Sequence, residues 1–140
     1  MDVILNKADS IERCIKRIHE EYDEKPENLR NFTRQDSIVL NLQRACELAI
    51  DMANYVNSRY RFSIPKSSRD SFKVLQEKRV ISEEISGRLQ KMVGFRNLAI
   101  HDYRKLDLSI LQSIVETNLQ DFTVYSEMIV TFVKENPVLL

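Results

Sequence analysis

The chain has 140 residues, 43% of them apolar and 30% charged, with only 2 glycines and 3 prolines. A length of that order suits one domain with its own core, and so few turn-forming residues exclude a sandwich, a barrel or repeated βα units. The 21 Lys and Arg are matched by 21 Asp and Glu, so there is no overall basic field with which to coat a duplex, and any contact with nucleic acid has to be local.

We therefore expect one all-α domain over residues 1–140. Its first helix runs from about Val3 to Asp23, where Ile4, Ala8, Ile11, Ile15, Ile18 and Tyr22 form the narrow seam of a bundle helix. Pro26 and Asn28 break it. A second helix, from about Thr33 to Arg59, carries the wider stripe Ile38, Leu42, Ala45, Leu48, Ala49, Met52 and Val56, which implies burial in the middle of the bundle. The polar stretch Ser63-Ile64-Pro65-Lys66-Ser67-Ser68 leads into a short third helix, about Arg69 to Glu77, with Phe72 and Leu75 on its apolar side. Ser82 is the N-cap of a fourth helix reaching about Ile100, with Glu83 and Glu84 at the positive end of its dipole. Asp107 caps a fifth, running to about Lys134 through Leu108, Leu111, Val115, Phe122, Tyr125, Ile129 and Phe132, with Pro137 beyond its end. Four long helices and one short one make an antiparallel helical bundle.

Cys14 and Cys46 lack the spacing of a metal ligand set and read as buried thiols in a reducing cytoplasm. No apolar run reaches the roughly 18 to 20 residues of a membrane span, and the N-terminus lacks the basic-then-apolar pattern of an export signal.

The fourth helix breaks local rules twice, and such breaks mark functional sites. Its apolar seam is Ile85, Leu89 and Met92, and the next position in the rhythm is Arg96. A guanidinium there pairs with a carboxylate on a neighbouring helix, snorkels past the seam, or faces a ligand. Both glycines of the chain, Gly87 and Gly94, also lie in this helix, each costing about 1 kcal/mol relative to alanine. With Gln90, Asn97 and His101 they form a second seam of small and polar groups, open to a tight internal helix crossing, a ligand or a subunit contact.

His19, in a charged stretch, is a solvated residue. His101 differs, because it sits in the cluster Arg96, Asn97, His101, Asp102, Tyr103 and Arg104 where the fourth helix should stop. On a continuing helix Arg96 and His101 would point about 140° apart, too divergent to grip one small group. Either the helix unwinds before His101, or a second copy of the chain supplies the complementary residue.

The segment Met92-Val93-Gly94-Phe95-Arg96-Asn97-Leu98-Ala99-Ile100-His101-Asp102-Tyr103 resembles the Arg-x4-His-x-Tyr signature of HEPN-domain toxins of the HepT group. Asn41–Asp51 and Lys66–Phe72 are similar to the same group at matching places, so the likeness covers nearly the whole chain. It implies a HEPN-like homodimer acting as a metal-independent ribonuclease, the toxin of a type VII toxin–antitoxin pair. In that family the Arg and His lie in a cleft between the subunits; here they map onto Arg96 and His101. The implied partner is a small nucleotidyltransferase antitoxin, MntA, which silences the toxin by attaching AMP to the motif tyrosine, here Tyr103.

The residue chemistry fits such a reaction. RNA carries its own nucleophile, the 2′-hydroxyl, so a cleaving site needs a proton shuttle and a cation for the crowded phosphorane, and can omit a metal. Imidazole, with an ordinary pKa of about 6.5, suits His101 to the shuttle, and the fixed planar charge of Arg96 suits it to two phosphate oxygens. Asn97 and Asp102 are candidate supporting residues, with a purely structural role as their alternative. Tyr103 stacks on a base or accepts the modification. No HExxH, paired histidines or acidic cluster points to a metal or other cofactor. The alternative to an enzyme is a helical adaptor that binds a nucleotide or a nucleotidyltransferase through the same cleft without cleaving anything.

Overall fold

The computed structural model describes residues 1–138. Its helices, in chain order, are α1 (Asp2–Tyr22), α2 (Phe32–Arg59), α3 (Ser68–Glu77), α4 (Glu83–His101), α5 (Leu108–Ser113) and α6 (Gln120–Glu135), with 3₁₀ turns at Pro26–Arg30 and Tyr103–Lys105. Among the described residues there is no strand. The all-α bundle expected from the periodicities is the fold that forms.

In α1, Ile4, Ile11, Ile15, Ile18 and Tyr22 are buried, as the seam requires. The helix stops at Asp23, whose left-handed backbone (φ 50°) returns its N–H to the His19 carbonyl. Asn31 starts α2 by accepting a hydrogen bond from the Arg34 N–H, satisfying one of the orphan donors of a first turn. α2 is the central element and packs against α1, α3, α4 and α6, which accounts for its wide apolar stripe. Ser67 and Ser82 cap α3 and α4 through the N–H groups of Asp70 and Ile85. The core closes through Tyr125, whose hydroxyl donates to the Ala49 carbonyl at 2.7 Å and whose ring meets Phe72 edge-on at 5.6 Å. Cys14 and Cys46 are both buried free thiols, and burial pushes the Cys46 thiol up to about 12.

The fifth helix departs from expectation. Asp107 caps it through the Ser109 N–H, but after Ser113 the chain makes a wider π turn over Ile114–Asn118 before α6 begins. Thr117 donates its hydroxyl to the Ser113 carbonyl at 2.6 Å, and Tyr22 donates to Glu116 from α1. The extra residue of a π turn resets the phase of the stripe. Leu111 before it, Val115 within it and Phe122, Tyr125 and Ile129 after it are consequently all buried. Among the described residues no helix is long and apolar enough to cross a membrane.

Candidate active site

The core stripe of α4 buries Ile85, Leu89 and Met92, and the same helical rhythm carries Arg96 inward one turn later. There it meets α2: its Nη1 pairs with the Glu47 carboxylate, while Nη2 donates to the Ser68 hydroxyl at the start of α3, at 3.3 Å. The Arg96 side chain is 14% exposed, against 47% for Glu47, and its Nε is buried without an acceptor. Of the readings open for Arg96, a carboxylate on a neighbouring helix is therefore met. Glu47 and Ser68 are the residues that sequence reasoning missed at this position. They lie 49 and 28 residues from Arg96, and no local periodicity links them to it.

Glu47 does not seal the guanidinium away. Its side chain also lines a groove of about 690 Å³ that is bounded by Ile100 and carries Arg13, Arg17 and Arg44. A second cavity, of about 620 Å³, begins at Ser68 and extends along Lys66, Arg61 and Asn57. Arg96 itself lines neither cavity; its hydrogen-bond partners Ser68 and Glu47 line one each.

His101 is the last residue of α4 and is exposed. The helix holds its form through it, with the Asp102 N–H donating to the Leu98 carbonyl at 2.8 Å. Unwinding before His101, one of the two routes for bringing the motif residues together, does not occur. At about 100° per residue, Arg96 and His101 leave the axis in directions about 140° apart, and a single copy does not bring them together.

The flanking residues divide. Asn97 is exposed on α4. Asp102 ends the helix with φ −153° and ψ 72°, and its carboxylate faces Lys105 at 3.5 Å. Tyr103 donates its hydroxyl to Asp36 of α2 at 2.8 Å, with Gln35 at 3.3 Å, and the residue as a whole is 37% exposed. Partial burial and the Asp36 carboxylate together hold the phenol protonated, well above its ordinary range.

The two glycines also differ. A Cβ on Gly87 would meet nothing within 4 Å, whereas one on Gly94 would lie 2.8 Å from the Arg69 guanidinium of α3. The space above Gly94 is occupied in the single chain by the flexible end of the Arg69 side chain. Among the described residues no three of His, Cys, Asp and Glu gather as a metal ion would need.

The model of the family described as "Ribonuclease HepT-like" matches residues 11–129. The chain is 46% identical over 128 residues to the mRNA nuclease HepT of Shewanella oneidensis, spanning 91% of this chain and 96% of that one. Its fold matches the tri-AMPylated Shewanella oneidensis HEPN toxin in complex with MNT antitoxin at a TM-score of 0.90 and 45% identity, covering 94% of this chain and 98% of the other. A crystal structure of the toxin-antitoxin with AMP-PNP matches at 0.90 and 44% identity, covering 94% and 99%. Taken with the helical fold and the placement of the motif at the end of α4, these matches show that the chain belongs to the HepT-like ribonuclease family.

Proposed function

We propose that the chain is a metal-independent endoribonuclease toxin of a type VII toxin–antitoxin pair, working as a homodimer of one domain in the cytoplasm and needing no cofactor. The observation that carries the reading is the relation, over 91% of the chain, to an mRNA nuclease. The geometry supplies the chemistry. Arg96 is preorganised by Glu47, and its Nη2, whose contact with Ser68 is long at 3.3 Å, is the edge available to a phosphate oxygen. The exposed His101 takes the proton of the 2′-hydroxyl as that oxygen attacks phosphorus. The bond to the 5′-oxygen breaks, the leaving oxygen receives a proton from the partner subunit's His101, and the products end in a 2′,3′-cyclic phosphate and a 5′-hydroxyl. Asn97 and Asp102 support the helix end around the imidazole, and Gly87, with open space above it, is available for contact with the second copy.

In the same reading Tyr103 is the acceptor for AMP from an MntA-type nucleotidyltransferase. A phosphodiester there, two residues beyond His101, adds negative charge at the mouth of the cleft and repels an RNA backbone. The test is incubation of the purified chain with RNA in EDTA, alone or after treatment with the cognate transferase and ATP. Cleavage is expected from the parent, at least roughly 10³-fold less from Arg96→Ala and His101→Ala, and none from the transferase-treated parent. Tyr103→Phe should cleave despite the transferase. A parent that leaves RNA intact, or alanine variants that cut as well as it does, would overturn the assignment.

A further inference from the structure

Gly94 has ordinary helical backbone angles, since no glycine of the chain has positive φ. Its value to the fold is therefore the missing Cβ and not conformational freedom. A methyl group at this position would stand 2.8 Å from Nη2 of Arg69, so the flexible end of that side chain would have to move off the helix. The helix accepts its least favourable ordinary residue at the spot where a guanidinium rests.

That guanidinium has no evident structural employment. Among the described residues Arg69 takes part in none of the ion pairs, and the adjacent Asp70 carboxylate is engaged by the Lys66 N–H at 2.8 Å. A flat cation laid against a helix backbone, with its outer edge in solvent and no counter-ion, is an arrangement suited to oxygen atoms arriving from outside.

Its position relates it to the cleavage site. At about 100° per residue, Asn97 and His101 lie about 60° and 20° from Gly94 around α4, so Arg69, Asn97 and His101 share one face of the helix, opposite Arg96. Gly94 and His101 are about 10 Å apart along the axis, too far for Arg69 to touch the phosphorus–oxygen bond broken beside His101 and near enough for a neighbouring phosphate of the same strand. The first turn of α3 is also tied to the other half of the motif, because Ser68, next to Arg69, accepts from Arg96.

We infer that Arg69 is a substrate-positioning residue, seated by Gly94, that binds a phosphate flanking the scissile linkage of the RNA. The inference rests on the ribonuclease reading for the identity of the polyanion.

The test is RNA binding by the non-cleaving His101→Ala protein across a range of salt, with and without Arg69→Ala, joined to kinetics in the cleaving parent. Removing Arg69 should weaken binding about tenfold and flatten the dependence of log affinity on log salt by about 0.7, the loss of one phosphate contact on a single strand. In the cleaving protein it should raise KM more than it lowers kcat, and Arg69→Lys should restore the salt slope. Gly94→Ala should weaken binding similarly while Arg69 is present and have no effect in the Arg69→Ala background, with circular dichroism confirming that each variant is folded. An unchanged slope and KM in Arg69→Ala, or an equal effect of Gly94→Ala in both backgrounds, would overturn the inference while leaving the nuclease standing. A parent that binds RNA through Arg69 but never cuts it would do the reverse.

Discussion

Arg96 sits where α2, α3 and α4 meet, and its surroundings decide what can be asked of it. A guanidinium that is 14% exposed, with Nε unpartnered, depends on Glu47 for its main neutralising contact. Replacing Glu47 by Gln leaves that charge poorly compensated, at a cost of about 1 to 3 kcal/mol. The urea midpoint should fall accordingly. Because a displacement of about 1 Å at a catalytic group can cost on the order of 100-fold, kcat should fall at least tenfold, more than any change in KM. A Glu47→Gln protein as stable and as active as the parent would make the pair incidental. The need for such a partner was legible from the sequence, since an arginine in an apolar seam has to be answered by something. Which carboxylate answers was not, because Glu47 is 49 residues away and is brought there only by the packing of α2 on α4.

At the scale of the element, boundaries set by capping chemistry were readable and a change of helical pitch was not. Ser82 and Asp107 both cap as their side chains dictate. Ser82→Ala should lose about 1 kcal/mol of stability with cleavage unchanged, since the cap lies at the far end of α4 from His101. Asp107 gives a charge-specific test. Hydrogen bonds from Ser109 hold its carboxyl below the ordinary range, so its contribution is present above the usual Asp pKa and is lost as pH falls through the lowered one. The difference in urea midpoint between the parent and Asp107→Asn should therefore be greatest near neutrality and vanish in strong acid; a pH-independent difference would assign it to geometry alone. The π turn over Ile114–Asn118 left no local signature, because it satisfies a phase demanded by the core and by Glu116 meeting Tyr22. Gly94 was legible as an anomaly, but its occupant comes from α3, and only the fold identifies it.

For the whole molecule, the unbroken course of α4 is the decisive feature. Arg96 and His101 of one chain point apart, and the proposed site draws them from two. Co-expression of Arg96→Ala with His101→Ala chains should restore part of the RNA cleavage that neither homodimer shows, because the mixed dimer contains one intact arginine and one intact histidine on different subunits and lacks only the second imidazole that protonates the leaving oxygen. Two inactive proteins that stay inactive when paired would place both groups on the same chain.

The hydrogen bond from Tyr103 to Asp36 fastens the segment after α4 to the beginning of α2. On the proposed assignment an adenylyl group on that oxygen would replace the very hydrogen that is donated, so silencing the toxin in this way would also untie the strap beside His101. Modified and unmodified proteins would then differ in the looseness of residues 102–106 as well as in charge, and hydrogen exchange confined to that stretch would report the toxin's chemical state without any RNA present.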